Sequence, residues 1–79
     1  MNEGDILAHL EDAVRTVFDE YEGPVTPQTR AADVKQWDSL SNVQFIVMVE
    51  QAVGVQFSTI EIAELNNLGD FVRLIQKKV

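Results

Sequence analysis

The chain has 79 residues, which is enough for one small domain with a modest core. Its formal charge of −7, from 13 acidic and 6 basic residues, disfavours nucleic-acid binding and suits either basic protein partners or plain solubility. The sequence has no cysteine, and no apolar run approaches the roughly 18 residues of a membrane span. A signal peptide begins with basic residues, whereas this chain has Glu3 and Asp5 there. We therefore expect a cytoplasmic protein without membrane insertion.

The first predicted helix spans residues 5–21. Apolar residues recur three or four positions apart along one face of it: Ile6, Leu7, Leu10, Val14, Val17, Phe18 and Tyr21. Charged residues take the opposite face, so one side of this helix should pack on the core. Asn2 or Asp5 is predicted to cap its start, and Gly23-Pro24 is predicted to end it.

A long loop is predicted over residues 22–38, where Pro24 and Pro27 restrict the backbone. Loops longer than about 12 residues are uncommon, and they are usually functional or contain a short helix. Val34 and Trp37 are the loop residues that we expect to pack on the core.

Residues 39–53 are rich in strand-forming side chains, namely Val43, Phe45, Ile46, Val47 and Val49. A helix is nevertheless favoured, because the segment is long for a strand and its polar positions share one helical stripe: Ser41, Gln44 and Gln51, with Met48 between them. The alternative is a hairpin that returns through Val55 and Phe57, but a lone hairpin is barely stable in water. Gly54 is predicted to end the helix.

Two more helices are predicted after Gly54. Ser58 and Glu61 have the spacing of a capping box at the start of a short third helix. Its apolar side consists of Ile60, Ile62 and Leu65. Asn66-Asn67 should end it and cap a last helix from about Leu68 to Lys78, with these residues facing inward: Leu68, Phe71, Val72 and Ile75. The predicted fold class is therefore all-α, a small four-helix bundle of three longer helices and one short third helix, with a long loop between helices one and two.

Groups that could catalyse a reaction or bind a metal are scarce in this sequence. His9 is the only histidine, and we expect a surface or half-buried helix residue there, since a metal site needs several ligands. Ser39 has no base that is evident from the sequence, and hydrolase signatures and glycine-rich phosphate loops do not occur. We therefore expect a non-catalytic protein without a metal.

The segment Trp37-Asp38-Ser39-Leu40 lies between the long loop and the second helix and resembles the acyl carrier protein family. Asp and Ser are ordinary helix-start residues, so the motif alone is weak. Its context is specific, because a long helix and a proline-containing loop precede it and an apolar, a short and a final helix follow. The resemblance covers about residues 5–78. The other similar stretches are Val43–Val53, Gly54-Val55-Gln56-Phe57 and Leu65-Asn66-Asn67-Leu68.

The resemblance implies a single acyl-carrier domain over residues 1–79, with 4′-phosphopantetheine from coenzyme A on the Ser39 hydroxyl. A separate phosphopantetheinyl transferase would supply the catalysis, which explains why no base is needed beside Ser39. The N-terminus of the second helix, with its unpaired N–H groups, would favour the resulting phosphodiester anion. The arm would hold acyl or aminoacyl groups as thioesters and deliver them to acyl-loading and condensing or transferring enzymes of a biosynthetic pathway. The family is usually monomeric, so we expect a monomer.

Residues around Ser39 are candidates for recognition by partner enzymes. Asp38 would cap the second helix and, by resemblance, mark the serine for the transferase. Leu40 is either a partner contact or plain core, and Trp37 is either a partner contact or a ring packed under the loop. Met48 is expected to be an exposed apolar contact. A possible acyl cleft, or simply core packing, involves Val43, Val47, Ile62 and Leu65.

The predicted second helix has fewer acidic residues than the fatty-acid carriers of the family usually have there. It contains only Glu50, with Asp38 at its start, while acidic residues concentrate between Glu3 and Glu22. We therefore predict a specialised stand-alone carrier of the polyketide or other secondary-metabolite type rather than a housekeeping fatty-acid carrier. The alternatives are a D-alanyl carrier and an unmodified helical protein-interaction domain, which would have no reason to keep Ser39 in this setting.

Overall fold

Four α-helices follow one another in the computed structural model, which describes residues 2–79. They are α1 (Glu3–Val17), α2 (Ser39–Val53), α3 (Thr59–Ala63) and α4 (Leu68–Lys78), and a short 3₁₀-helix (Ala31–Asp33) lies between α1 and α2. No strand occurs among the described residues, so the all-α four-helix prediction is confirmed and the alternative hairpin is wrong. None of the helices within residues 2–79 is both long and apolar enough to cross a membrane.

The start of α1 lies two residues earlier than predicted. Asn2 is the cap, because its Oδ1 accepts the N–H of Asp5 at 2.8 Å. Asp5, the other candidate, therefore lies inside the first turn, where its negative charge is favourable.

The predicted end of α1 is wrong, since the helix ends at Val17. Phe18 has φ −112° and ψ 66°, which is not a helical conformation. Its buried ring stacks on Trp37 with 4.7 Å between centroids. The N–H of Glu20 then donates to Gln36 Oε1 at 2.9 Å. These contacts with the loop replace the helical hydrogen bonds of the next turn, so the glycine-proline pair lies beyond the end of the helix.

The loop between α1 and α2 is attached to the start of α4. The N–H of Leu68 donates to the carbonyl of Thr29 at 2.9 Å, and that of Gly69 donates to the carbonyl of Pro27 at 2.8 Å. Val34 is buried, as predicted. The loop therefore uses N–H groups that the first turn of α4 would otherwise leave without partners.

Aromatic rings from the residue after α1, the loop, α2 and α4 meet in the core. The centroid of Phe45 lies 4.8 Å from that of Trp37 and 5.9 Å from that of Phe18. On another side it lies 5.5 Å from that of Phe71, with the two rings edge to face. The other buried apolar residues are Ile6, Leu10, Ala13, Val14, Val34, Ile46, Val49, Val53, Leu68, Val72 and Ile75. Because α1 packs against both α2 and α4, the start of α2 has a fixed place in the bundle.

The predicted caps of the last three helices are confirmed, but α3 ends at Ala63, earlier than the predicted end at Asn66-Asn67, and Leu65 lies beyond it. α2 ends at Gly54, which adopts the left-handed conformation with φ 74° that glycine tolerates best. Ser58 and Glu61 form the capping box of α3, and Asn67 caps α4. Lys78 reaches back from α4 to within 3.1 Å of the Glu61 carboxylate, which joins α3 to the end of α4.

The apolar side predicted for α3 is only partly correct. Ile62 and Leu65 pack against the core, but 74% of Ile60 is exposed. Residues two positions apart point to nearly opposite sides of a helix, so Ile60 cannot share the buried side with Ile62. Ile60 consequently adds an apolar side chain to the outer surface of α3.

Candidate functional site around Ser39

The residues that precede Ser39 are held by contacts with other parts of the chain. Gln36 accepts the N–H of Glu20 and donates from Nε2 to Asp19 Oδ1 at 3.2 Å. Trp37 stacks on Phe18 and donates from its indole nitrogen to Asn42 Oδ1 at 2.9 Å. The direction in which the chain enters α2 is therefore set by the core and by the turn after α1.

Asp38 caps α2. Its Oδ1 accepts the N–H groups of Leu40 and Ser41 at 3.0 and 2.9 Å. In return, the N–H of Asp38 donates to Ser41 Oγ at 2.9 Å, and that hydroxyl donates to the carbonyl of Gln36 at 2.7 Å. This reciprocal capping keeps the first turn of α2 rigid and leaves Ser39 as its first helical residue.

The three serines of the chain differ in what their hydroxyls do. Ser41 belongs to the capping network of α2, and Ser58 caps α3 by accepting the N–H of Glu61 at 3.2 Å. The hydroxyl of Ser39 takes part in none of the hydrogen bonds described for residues 2–79, and the residue is exposed. Ser39 is therefore the serine whose hydroxyl is available for chemistry without loss to the fold.

The N-terminus of α2 has fewer unpaired N–H groups for an anion than the sequence implied. Asp38 already binds the N–H groups of Leu40 and Ser41, so in the described structure only the N–H of Ser39 in this turn has no partner. The helix dipole and this one N–H group remain favourable to a negative charge on the Ser39 side chain.

Asp38 should titrate below the ordinary range of an aspartate. The backbone N–H and the hydroxyl of Ser41 hold the pKa of this carboxyl low, with a smaller contribution from the N–H of Leu40, because they bind its charged form. The folded pKa then lies below the unfolded one, so the cap stabilises the protein above the unfolded pKa and is lost as the pH falls through the folded pKa. An NMR titration of the carboxyl carbon measures this pKa directly.

The variant Asp38→Asn is the matched control for this titration. Asparagine keeps an oxygen that can cap the helix but cannot titrate, so this part of the acid sensitivity of unfolding should disappear. A carboxyl of Asp38 that titrated at or above the ordinary aspartate value would contradict the capping geometry.

A cleft of about 360 Å³ opens beside Ser39. The loop, the start of α2, α3 and the start of α4 form its walls. We call it the Ser39 cleft, and its lining residues are Thr29, Arg30, Ala31, Trp37, Asp38, Ser39, Asn42, Ile62, Leu65, Asn66, Asn67 and Phe71. It gives a group attached to Ser39 a place to rest against the protein.

The four residues of the possible acyl cleft do not lie together. Ile62 and Leu65 line the Ser39 cleft and pack on the core. Val43 and Val47 are 59% and 44% exposed on α2 and do not line it. The structure therefore brings only half of this set beside Ser39.

The candidates for partner recognition also divide into exposed residues and residues that pack against the core. Leu40 is 73% exposed and continues the stripe of Val43 and Val47 along α2. Met48 was predicted to be exposed, but it is half-buried and packs against the core, as Trp37 also does. The outer apolar surface of α2 thus consists of Leu40, Val43 and Val47 rather than Met48.

Several cleft residues were not identified from the sequence, above all Arg30, Asn42 and Asn67 in their role as cleft walls. Asn42 carried a usable signal, because a side chain three positions after Ser39 lies one turn above it on the same face. Arg30 carried none, since its place depends on how the loop folds. Within residues 2–79 no group of three or more His, Cys, Asp or Glu side chains is placed to hold a metal ion, and His9 is half-buried on α1.

Comparisons with known proteins agree with one another. Residues 8–75 match the family model described as a phosphopantetheine attachment site. The meromycolate extension acyl carrier protein of Mycolicibacterium aurum is 34% identical over 73 residues, which is 92% of this chain and 75% of that protein. The protein of the same name from Mycobacterium tuberculosis H37Rv is 32% identical over 73 residues, which is 92% of this chain and 64% of that one.

A solved structure is similar over the same extent. The solution NMR structure of the holo acyl carrier protein from Geobacter metallireducens shares 37% sequence identity, and the match covers 92% of this chain and 84% of that one. The TM-score is 0.82, so the helices and their arrangement correspond closely.

Proposed function

This chain belongs to the acyl carrier protein family, whose covalent prosthetic group is 4′-phosphopantetheine, and we propose that Ser39 is the residue to which that group is attached. The observation that carries the proposal is the contrast among the serines. Ser41 and Ser58 cap helices, whereas the exposed Ser39 hydroxyl has no hydrogen-bonded partner in the described structure. Modification of Ser39 would therefore cost the fold nothing.

The chemistry of attachment fits these surroundings. Ser39 Oγ forms a bond to phosphorus, the pyrophosphate bond of coenzyme A breaks, 3′,5′-adenosine bisphosphate leaves, and the serine proton passes to the phosphopantetheinyl transferase. Ser39 Oγ has no hydrogen-bonded base of its own among residues 2–79, which supports a carrier that relies on a partner for catalysis. When bound, the arm supplies the thiol that the sequence lacks and on which an acyl group is carried.

The residues around Ser39 would hold the modified serine in place. Asp38 keeps the first turn of α2 rigid, so the attachment point stays at one position on the surface. The dipole of α2 and the N–H of Ser39 favour the charge of the phosphodiester. The Ser39 cleft offers room for the arm beside its attachment point.

We further propose that α2 is the surface that partner enzymes recognise. Leu40, Val43 and Val47 form an exposed apolar stripe that begins beside Ser39, and Asp38 marks its start. The partners would be the transferase and then the acyl-loading and condensing or transferring enzymes. Trp37 and Met48 would contribute only through the parts of their side chains that the core leaves uncovered.

The pathway we favour is a specialised one, in which the carrier delivers acyl or aminoacyl groups for the biosynthesis of a secondary metabolite. Support comes from α2, where Glu50 is the one acidic residue of the helix and its carboxylate accepts the N–H of Phe57 at 2.8 Å. This helix therefore offers a basic partner a single carboxylate, one oxygen of which already accepts a hydrogen bond within the protein. The names of the mycobacterial relatives make the extension of a lipid chain the second candidate. A D-alanyl carrier is a third possibility that shares the same fold and attachment.

We propose that residues 1–79 act as one monomeric acyl-carrier domain. The charge of −7 would keep copies of the chain apart, and α1 packs against both α2 and α4 around one core. Catalysis would lie in the partner enzymes, with this chain presenting the arm to each in turn.

Intact-mass spectrometry tests the attachment. Incubation with coenzyme A and a broad-specificity phosphopantetheinyl transferase should add the mass of one arm, and peptide mapping should place it on Ser39. A chain that gained no mass, beside a control carrier that did, would point instead to an unmodified helical interaction domain. An arm on Ser41 or Ser58 would contradict the assignment of the site.

A further inference from the structure

The Ser39 cleft has one apolar and one polar wall. Trp37, Ile62, Leu65 and Phe71 form the apolar wall. The polar side chains are spread over the loop, α2 and the turn before α4: Thr29, Arg30, Asp38, Ser39, Asn42, Asn66 and Asn67. Most of these polar groups are exposed or half-buried. Such a lining is unusual for a cleft meant only for a hydrocarbon chain, because an apolar occupant would displace the water that these groups bind.

In two of the asparagines of this lining, the side-chain oxygen already accepts a hydrogen bond from another group of the protein. Asn42 Oδ1 accepts the indole N–H of Trp37 at 2.9 Å, and Asn67 Oδ1 accepts the N–H of Asp70 at 2.9 Å. Both partners can only donate, so the oxygen rather than the nitrogen must face them. What each carboxamide has left is its NH₂ group, and neither group takes part in a hydrogen bond described for residues 2–79.

Arg30 adds a further donor to this wall of the cleft. The guanidinium of Arg30 is 4.0 Å from Asp33, its nearest carboxylate among the described ion pairs, which is too far for a hydrogen bond. The hydroxyl of Thr29 already donates to the carbonyl of Pro24. Asp38 is the one carboxylate among the described lining residues, and its Oδ1 caps α2.

We propose that the Ser39 cleft holds an oxygenated acyl group, whose keto, hydroxyl or carboxylate oxygens accept hydrogen bonds from Asn42, Asn67 and Arg30, in preference to a plain alkyl chain. An alkyl chain in the cleft would remove water from these donors without replacing its hydrogen bonds, whereas an oxygenated chain replaces them. The inference rests on the proposed attachment at Ser39. The carbonyl groups of the arm itself offer the same acceptor chemistry, so the experiment must separate arm from cargo.

The test uses four forms of the full chain. One carries the arm alone, and the others carry hexanoyl, 3-oxohexanoyl or glutaryl groups transferred together with the arm from the corresponding acyl-coenzyme A. Intact mass verifies each form. The measurements are the NMR signals of the Asn42 and Asn67 NH₂ groups and the rate of thioester hydrolysis. We expect 3-oxohexanoyl and glutaryl to shift these signals and hexanoyl to leave them as they are with the arm alone.

The double variant Asn42→Asp and Asn67→Asp isolates the donors. Each aspartate keeps the oxygen that the indole of Trp37 or the N–H of Asp70 requires, but neither has an NH₂ group. Hydrolysis of the oxygenated thioesters should become about fivefold faster relative to the unsubstituted chain, the effect of one net hydrogen bond. Hydrolysis of the hexanoyl thioester should not change. The variant Gln44→Glu with Gln51→Glu adds the same charge on the exposed side of α2 and should leave all rates unchanged.

The outcomes separate the two proposals. A chain that accepts no arm would overturn the attachment and this inference with it. Equal NMR shifts with hexanoyl and with the oxygenated groups would overturn only the inference. Shifts that are already complete with the arm alone, and that no cargo alters, would mean that the donors bind the arm and do not select the cargo.

Discussion

Replacing Ser39 with alanine should abolish attachment of the arm completely and leave the free energy of unfolding within about 0.5 kcal/mol of its original value. The hydroxyl is exposed and has no hydrogen-bonded partner in the described structure, so its removal breaks nothing. Alanine is also a better helix former than serine. Intact mass after incubation with coenzyme A and transferase measures the first effect, and urea unfolding followed by circular dichroism measures the second.

The other two serines provide matched controls with the opposite expected result. Ser58→Ala and Ser41→Ala should each keep the full mass gain and lose about 1 kcal/mol of stability, because each hydroxyl caps a helix. A mass gain that survived in Ser39→Ala would mean that the arm is attached elsewhere. A loss of stability in Ser39→Ala as large as in the controls would show that the hydroxyl has a structural partner after all.

Replacing Phe45 with alanine should destabilise the protein by about 3–5 kcal/mol, the usual cost of removing a buried aromatic ring. Phe45 is fully buried, and its ring contacts those of Phe18, Trp37 and Phe71 from three different parts of the chain. Domains have only about 5–15 kcal/mol of net stability, so this one change would remove a large share of it. Urea unfolding followed by circular dichroism is the measurement.

Two further variants keep this prediction testable if Phe45→Ala does not fold. Phe45→Leu fills most of the space and should cost less than the alanine variant. Phe57→Ala removes a half-buried ring, with its edge contact to Phe71 at 6.2 Å, and should cost about 1–2 kcal/mol. Equal losses in Phe45→Ala and Phe57→Ala would contradict the central place of Phe45 in the core.

Local signals in the sequence predicted most helix boundaries, because caps act over three or four residues. Asp38, Ser58 and Asn67 were each identified as caps, and α2, α3 and α4 begin directly after them. Gly54 was identified as the end of α2 for the same reason, since the left-handed conformation at that point favours glycine.

The errors occurred where distant contacts override local preference. The helical pattern around Phe18 continues to Tyr21, yet stacking on Trp37 turns the chain out of the helix. Met48 lies on the polar stripe of α2 and was predicted to be exposed, but the bundle covers part of it. Periodicity within a segment assigns faces to a helix, whereas the neighbouring helices decide how wide the covered face is.

The sequence by itself determined the family, the all-α fold and the position of Ser39 after its cap. Helix periodicity and caps are local patterns, and the family resemblance depends on the order of these patterns along the chain. Only the tertiary structure showed that Ser39 alone among the serines has a hydroxyl without a hydrogen-bonded partner in the described structure. Likewise, only the tertiary structure showed that Arg30, Asn42 and Asn67 line the same cleft. Those residues lie on a loop, a helix and a turn far apart in sequence, and the packing of three long helices places them together.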